Sequence, residues 1–445
     1  MTAAADPENS DAAPPREPGA TSSSGTADEK LADEPVVEPL TEPADGVPPV
    51  LSTPAEFAEA ARLLAAGSGP IAVDTERASG YRYSQRAYLI QIRRPGAGTF
   101  LLDPINAPEA LAPVIDALDG PEWVLHAADQ DLPCLRELDF RCARLFDTEL
   151  AGRLLGIAKV NLAAMVAEFL HLGLRKGHGA ADWSRRPLPA DWLNYAALDV
   201  EVLVELRDAV DAALVATGKD RWAQEEFEYV LTRPATPPRP DRWRRTANVH
   251  TVKDVRSLAV VRELWSARDE LAERRDVAPG RVLPDSAIIT AATAKPSSIA
   301  ELTALPVFGG PRQRRQAGVW LGAVRRATDL PDDQLPPRRT PTTGLPPISR
   351  WEQRNPEAAA RAARVRPVVA DIAERRGLPA ENLLAPDLVR QLCWDGIEPP
   401  ITAEAVDARL TAGQARPWQR YLCAGPIAEA LREVVDEGST ADTSP

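Results

Sequence analysis

Pro70-Ile71-Ala72-Val73-Asp74-Thr75-Glu76 is a short apolar run that ends on two carboxylates. A proline followed by β-branched and small apolar residues reads as a buried strand. In an extended chain alternate side chains share a face, so Asp74 and Glu76 point the same way. Like charges held that close repel, and a divalent cation with oxygen ligands is the natural compensation. The tripeptide alone is weak evidence, because Asp147-Thr148-Glu149 repeats it. The second copy leads into the helical run Leu150–Leu155, where Asp147 or Thr148 serves as an N-cap whose oxygen accepts an orphan backbone N–H.

Upstream, Thr53-Pro54-Ala55-Glu56 is a capping box with Pro at the first helical position, opening an amphipathic helix through Leu64. Downstream, Ala87–Ile92, Thr99–Asp103 and Trp123–His126 read as three more strands, with helices over 108–118 and from Asp131 onward. Residues 147–230 read as mainly helical. Strands in hairpin order that give way to strand–helix alternation predict a mixed α/β sheet.

Composition divides the 445 residues further. Residues 1–50 carry 11 acids against 2 bases and hardly an aromatic, which predicts a disordered acidic tail. The α/β domain is expected over 51–235, a Pro-stiffened linker over 236–247, a helical bundle over 248–328, and a Pro-rich linker over 329–348. A second helical block over 349–437 and a short disordered tail over 438–445 complete the chain. The two helical blocks share a pattern. Ala272-Glu273-Arg274-Arg275 is followed by Leu283-Pro284-Asp285, and Ala373-Glu374-Arg375-Arg376 by Leu384-Ala385-Pro386-Asp387. A degenerate tandem duplication explains this economically, against two unrelated bundles with a common helix end.

The net charge of -13 argues against nucleic acid until it is split along the chain. Residues 51–241 have a net charge of -8, whereas 242–327, with 16 bases and 8 acids, are at +8. The basic surface therefore lies beside the α/β domain. Cys134, Cys142, Cys393 and Cys423 form no C-x-x-C, and the four histidines have no zinc-ligand spacing, so free thiols in a reducing compartment are expected. There is no membrane-length apolar run and no signal-peptide pattern at the start, which predicts a soluble cytoplasmic protein with no membrane association. Nothing in the sequence points to an obligate protein partner.

Two further acids stand at element ends. Asp131 opens a helix, where its plain role is an N-cap. Tyr195 and Asp199 lie four apart on one helix face, where the plain reading is a core tyrosine beside a solvated acid. Taken with Asp74 and Glu76, they give four carboxylates and a tyrosine that can assemble a two-metal site. His126, at a strand end, reads as a packed neutral imidazole.

That ordered set resembles the ribonuclease D family of the DEDD 3′–5′ exonuclease superfamily, tyrosine subclass. The resemblance runs through Ala72–Glu76, Leu89-Ile90-Gln91-Ile92, Leu102-Asp103-Pro104, His126–Leu132, Phe146-Asp147-Thr148, Asp182-Trp183, Arg186-Pro187-Leu188 and Tyr195–Val200. The basic bundle is similar to the helicase-and-RNase-D C-terminal (HRDC) domain. The resemblance implies a ribonuclease H-like mixed-sheet exonuclease domain followed by two all-α HRDC-type bundles. It implies that Asp74, Glu76, Asp131 and Asp199 ligate two Mg²⁺ or Mn²⁺ ions, and that Tyr195 orients the attacking water. The activity implied is release of nucleoside 5′-monophosphates from an RNA with a single-stranded 3′ end, tRNA precursors among them. Arg77 stands where the family often has an aromatic residue.

Phosphate contacts dominate nucleic-acid affinity, and the basic bundle supplies them. The densest candidates are Arg312, Arg314 and Arg315, with Arg242, Arg244 and Arg245 in the linker, set against a merely solvated charged face. Trp243 and Trp265 are candidates to stack bases, although Trp265 lies in an apolar helix that reads as core. Two alternatives stay open: a DNA exonuclease on the same fold, and a catalytically dormant RNA-binding scaffold.

Overall fold

The computed structural model describes residues 37–174, 177–234, 237, 239–339 and 344–441. The first elements are β1 (Glu38–Leu40), β2 (Val50–Leu51) and α1 (Pro54–Ala66). The capping box opens α1 as expected: the Thr53 hydroxyl accepts from Glu56 N–H, and the Glu56 carboxylate accepts from Thr53 N–H at 2.9 Å. Phe57, Ala60, Ala61 and Leu64 then form the buried stripe of α1 at helical spacing.

The sheet comes from β3 (Ile71–Arg77), β4 (Ala87–Arg94), β5 (Gly98–Leu102), β6 (Glu122–Leu125) and β7 (Arg144–Asp147), with α2 (Ala112–Leu118) and α3 (Leu132–Glu137) between them. Its order is β2-β5-β4-β3-β6-β7. The β3–β4 and β4–β5 pairs are antiparallel, while β3–β6, β6–β7 and β2–β5 are parallel. The expected mixed sheet is therefore present, with β3 at its centre. Ile71, Ala72 and Val73 are buried on both faces, and the polarity of the strand begins only at Asp74, where it reaches the sheet's end.

Helices α4 (Thr148–Leu155) and α5 (Leu162–Leu170), strand β8 (Leu172–Leu174), and helices α6 (Ala190–Glu201), α7 (Leu203–Thr217) and α8 (Asp220–Thr232) complete this part. The basic bundle contains α9 (Val255–Arg275), α10 (Pro279–Val282), α11 (Asp285–Ala294), α12 (Ile299–Ala304), α13 (Pro311–Arg314) and α14 (Ala317–Thr328). The last block contains α15 (Trp351–Arg354), α16 (Pro356–Arg375), α17 (Ala380–Leu383), α18 (Pro386–Asp395), α19 (Ala403–Ala412) and α20 (Pro417–Ala441). The series α9–α10–α11 and α16–α17–α18 have nearly the same lengths, which accompanies the shared sequence pattern. Among the described residues no helix is long and apolar enough to cross a membrane.

Several boundaries differ from those expected. Composition extends the acidic tail to residue 50, but β1 pairs in parallel with β8 and β2 adds to the sheet edge beside β5. Composition cannot count such pairings, because the partners lie far along the chain. Residues 1–36 are outside the described residues. The linker drawn over 236–247 ends early: Trp243 and Thr246 are buried, and Trp243 belongs to the bundle's core. The second linker is also partly consumed, since Leu330 and Leu335 pack on the basic bundle while Leu345 and Ile348 pack on the last block. Finally, α20 continues to Ala441, past the tail boundary at 438; residues 442–445 lie outside the description.

The two helical blocks attach differently. The last block shares one continuous apolar core with the sheet domain. There Trp222 of α8 stacks on Trp418 of α20 at 4.7 Å, and Glu226 accepts from Arg416 and from the Trp418 indole. The basic bundle keeps its own core and meets the sheet domain through polar contacts to the β3–β4 loop. Asp276, at the end of α9, accepts from Tyr83 N–H, Ser84 N–H and the Tyr88 hydroxyl, and Ala278 N–H donates to Tyr81 O.

Candidate active site

The C-terminal end of β3 brings Asp74 and Glu76 to one face, and α6 crosses it with Asp199. Ligand oxygens of Asp74, Glu76 and Asp199 all lie within 4.8 Å of one another. Asp131 stands beside this trio and is buried at 5% exposure. It occupies the N-cap position of α3 but makes no capping bond. Instead its Oδ1 accepts from the Thr75 hydroxyl at 2.6 Å. The cap reading of Asp131 is thus replaced by a contact across the sheet's end. Thr75 also lies 3.3 Å from the Cys134 thiol, which donates to Asp131 O.

Asp147 is the contrasting case. Its carboxylate caps α4 by accepting from Glu149 and Leu150 N–H, as the sequence predicts. It also accepts from Ala127 and Ala128 N–H, at 3.1 and 2.8 Å. Ala127 has a left-handed φ of 62°, so the turn leading into Asp131 is pinned by the same side chain that starts α4. That second function had no local signal, because the two segments are about twenty residues apart. His126 is half-buried with its Nδ1 2.9 Å from the Thr148 hydroxyl, and desolvation lowers its pKa to about 4, so the ring is neutral.

Electrostatics mark the carboxylates as a strained group. Burial raises Asp74 well above the usual carboxylate range, and the charges of Asp131 and Asp199 raise it further. Glu76 is raised by burial and then by Asp74. Burial brings Asp199 to about 7, against the Tyr195 hydrogen bond and with the charge of Asp131 adding to the rise. Asp131 reaches about 6 through burial, opposed by the Thr75 hydrogen bond. The Arg77 guanidinium, 3.5 Å from Gln130 Oε1, works against the rise at Asp74, Glu76 and Asp131. Buried carboxylates that repel one another and offer only hard oxygen donors fit a divalent metal.

Tyr195 lies one turn before Asp199 on α6, and its phenol acts on the Asp199 carboxylate to hold its pKa down against burial. Burial, followed by the charges of Asp199, Glu76 and Asp74, pushes the phenol far above its ordinary pKa. A segment that sequence reasoning did not single out covers the ring. A Cβ on Gly177 would overlap the Tyr195 ring, and His178 meets that ring edge-on at 5.9 Å while stacking on Trp192. The segment is held by Trp183, whose indole donates to His178 O, and by Arg186, which forks onto both oxygens of Asp103 at 2.6 and 2.9 Å. The Asp182-Trp183 and Arg186-Pro187 motifs therefore brace the approach to α6.

The basic candidates separate. Arg312, Arg314 and Arg315 are exposed around α13. Arg244 is engaged internally, with Asp241, with Pro337 O and over the Trp243 ring, whereas Arg245 is exposed. Both tryptophans pack on the bundle's core, Trp243 more deeply than Trp265. Trp243 is buried in the bundle's core, and Trp265 is partly exposed with Arg242 over its ring at 5.3 Å.

Comparison with known proteins agrees with this arrangement. The sequence matches three family models: 3′–5′ exonuclease over residues 49–214, HRDC domain over 257–324, and 3′ to 5′ exonuclease C-terminal domain over 344–431. The first spans the whole sheet together with Asp74, Glu76, Asp131, Tyr195 and Asp199, which makes the chain a 3′–5′ exonuclease with an HRDC domain behind it. A solved protein structure from Bifidobacterium adolescentis is 38% identical, with a TM-score of 0.81 over 90% of this chain and 100% of that one. Ribonuclease D of Nitrobacter hamburgensis is 29% identical, covering 86% of this chain and 94% of the relative. Ribonuclease D of Pseudomonas paraeruginosa is 30% identical over 61% of this chain and 74% of the relative. The chain belongs to the ribonuclease D family, and its activity is that of a 3′–5′ exoribonuclease.

Proposed function

We propose that Asp74, Glu76, Asp131 and Asp199 hold two divalent ions, Mg²⁺ or Mn²⁺, and that the enzyme removes nucleotides from single-stranded 3′ ends of structured RNAs such as tRNA precursors in the cytoplasm. The observation that carries this reading is the trio of carboxylates within 4.8 Å, with Asp131 beside it and a tyrosine one turn before Asp199. Bound divalent metal supplies Lewis acidity that makes hydroxide available near neutral pH and offsets charge on the leaving 3′ oxygen. Asp74, Glu76 and Asp199 would supply the closely spaced oxygen ligands, and Asp131, fixed by Thr75, would add a further one. Tyr195 stays protonated under its raised pKa, so it orients the attacking water in line with the phosphate and does not act as the base. Products are nucleoside 5′-monophosphates. Arg312, Arg314, Arg315 and Arg245 supply phosphate contacts that the acidic catalytic domain lacks.

Incubation of a 3′-extended tRNA precursor and a matched DNA with Mg²⁺ or Mn²⁺, and then with EDTA, tests this reading. Metal-dependent trimming of the RNA extension is expected, with Asp74→Ala inactive yet still binding RNA. Equal or faster digestion of the DNA refutes the substrate assignment, and normal turnover by Asp74→Ala refutes the metal assignment.

A further inference from the structure

The linker and the basic bundle together form a cleft of about 570 Å³, whose Asp269 is touched from the sheet domain by Tyr83. Four guanidiniums line it, from Arg239, Arg242, Arg245 and Arg268, against two carboxylates, Asp269 and Asp285. Arg268 and the Ala247 N–H occupy Asp285, and the Tyr83 hydroxyl donates to Asp269 at 3.1 Å. Among the described residues, Arg239 and Arg245 have no acidic partner and are exposed. Trp265 forms part of the wall, with the Arg242 guanidinium over its ring.

We infer that this cleft is a nucleotide subsite: it takes one nucleotide of the RNA strand upstream of the 3′ end, stacking its base on the Trp265–Arg242 layer and holding its phosphates with Arg239 and Arg245. Indole faces and guanidinium planes both stack on bases, and unpaired arginines beside them supply the cations a phosphodiester requires. The wall is tied to the catalytic centre through one loop. Glu76 is the next-to-last residue of β3, and Tyr83, seven residues on, touches Asp269 in the cleft. Seven residues span at most about 25 Å, so the cleft wall lies within a short single-stranded stretch of the carboxylates. The ion pair of buried Arg268 with half-buried Asp285 and the Asp276 contacts to the β3–β4 loop keep the wall in place relative to β3. This subsite rests on the exoribonuclease reading above and adds a base contact to its phosphate contacts.

The test is an abasic walk along a single-stranded RNA of about twelve nucleotides, a length within the span that single-strand sites cover. One abasic nucleotide is placed at each position in turn, and KM is compared with that of the intact strand. For the wild type, one upstream position is expected to raise KM by roughly 5- to 100-fold, the range set by base–aromatic stacking. In Trp265→Ala that ratio should fall to near one. The double variant Arg239→Ala/Arg245→Ala, whose side chains are exposed and leave the bundle's core intact, should raise KM for the intact strand and weaken its dependence on salt. A flat walk in the wild type overturns the subsite, as does a walk unchanged in Trp265→Ala together with an unaltered salt dependence in the double variant. Failure of the wild type to digest any of these RNAs overturns the exoribonuclease reading itself, which is a separate result from a flat walk.

Discussion

At the scale of single residues, one hydroxyl, that of Thr75, fixes the Asp131 carboxylate. Thr75 lies between Asp74 and Glu76 in sequence, points away from their face, and donates to Asp131, the third of the proposed metal ligands, at 2.6 Å. Groups that orient a metal ligand typically cost ~10–100-fold in metal affinity or activity when removed. Thr75→Val keeps the β-branched shape and deletes only the donor, so the metal concentration at half-maximal rate should rise by about that factor; a metal titration of RNA digestion checks it. The raised carboxylates make a second prediction with a definite sign. Asp131 and Asp199 titrate near 6 and 7 in the folded protein, against about 3.8 when unfolded. Between those values the folded state holds more protons than the unfolded one, so stability falls as pH rises through the window. In EDTA the Tm should therefore drop between about pH 4 and 7, Asp199→Asn should flatten the drop, and added Mg²⁺ should restore Tm at the upper end. Melting curves with and without metal decide it.

At the scale of elements, the catalytic geometry depends on how α6 is seated. Trp183, Arg186 and Asp103 brace the approach to the helix, and Gly177 lets the chain pass against the Tyr195 ring. Gly177→Ala places a methyl where that ring lies and displaces the phenol. An error of about 1 Å in a positioned group can cost ~100-fold, so kcat should fall by roughly 10- to 100-fold. Because Gly177 is exposed, Tm should stay within about 1 °C, following the small effect usual for surface substitutions. Steady-state kinetics beside a melting curve separate the two effects. The sequence carried β3–β6 and the capped starts of α1 and α4 plainly, since these are written in local apolar runs and caps. Strands β1, β2 and β8 were not legible, because two or three residues become a strand only through a distant partner. Asp131 shows the same limit at the site: its place at a helix start suggested a cap, and only the fold brings Thr75 within reach of it.

At the scale of the whole molecule, the two helical blocks do different work despite their shared helix pattern. The last block merges its core with the sheet domain through Trp222, Trp418 and Glu226, a contact no local pattern encodes because its halves are some two hundred residues apart. Its net charge is near zero. The basic bundle is joined instead by a polar seam at Asp276 and Asp269, and it carries the positive charge. Affinity for a polyanion should consequently follow the bundle's exposed arginines. Each phosphate contact on a single strand contributes about 0.7 to the slope of log affinity against log salt. If Arg312, Arg314 and Arg315 all touch phosphates, replacing the three by alanine lowers that slope by about 2. Binding of a catalytically inactive Asp74→Ala background, measured from low to high salt, provides the comparison without substrate loss. A slope that stays the same in the triple variant would place the phosphate contacts elsewhere, with the arginine cleft around Arg239 and Arg245 as the next candidate.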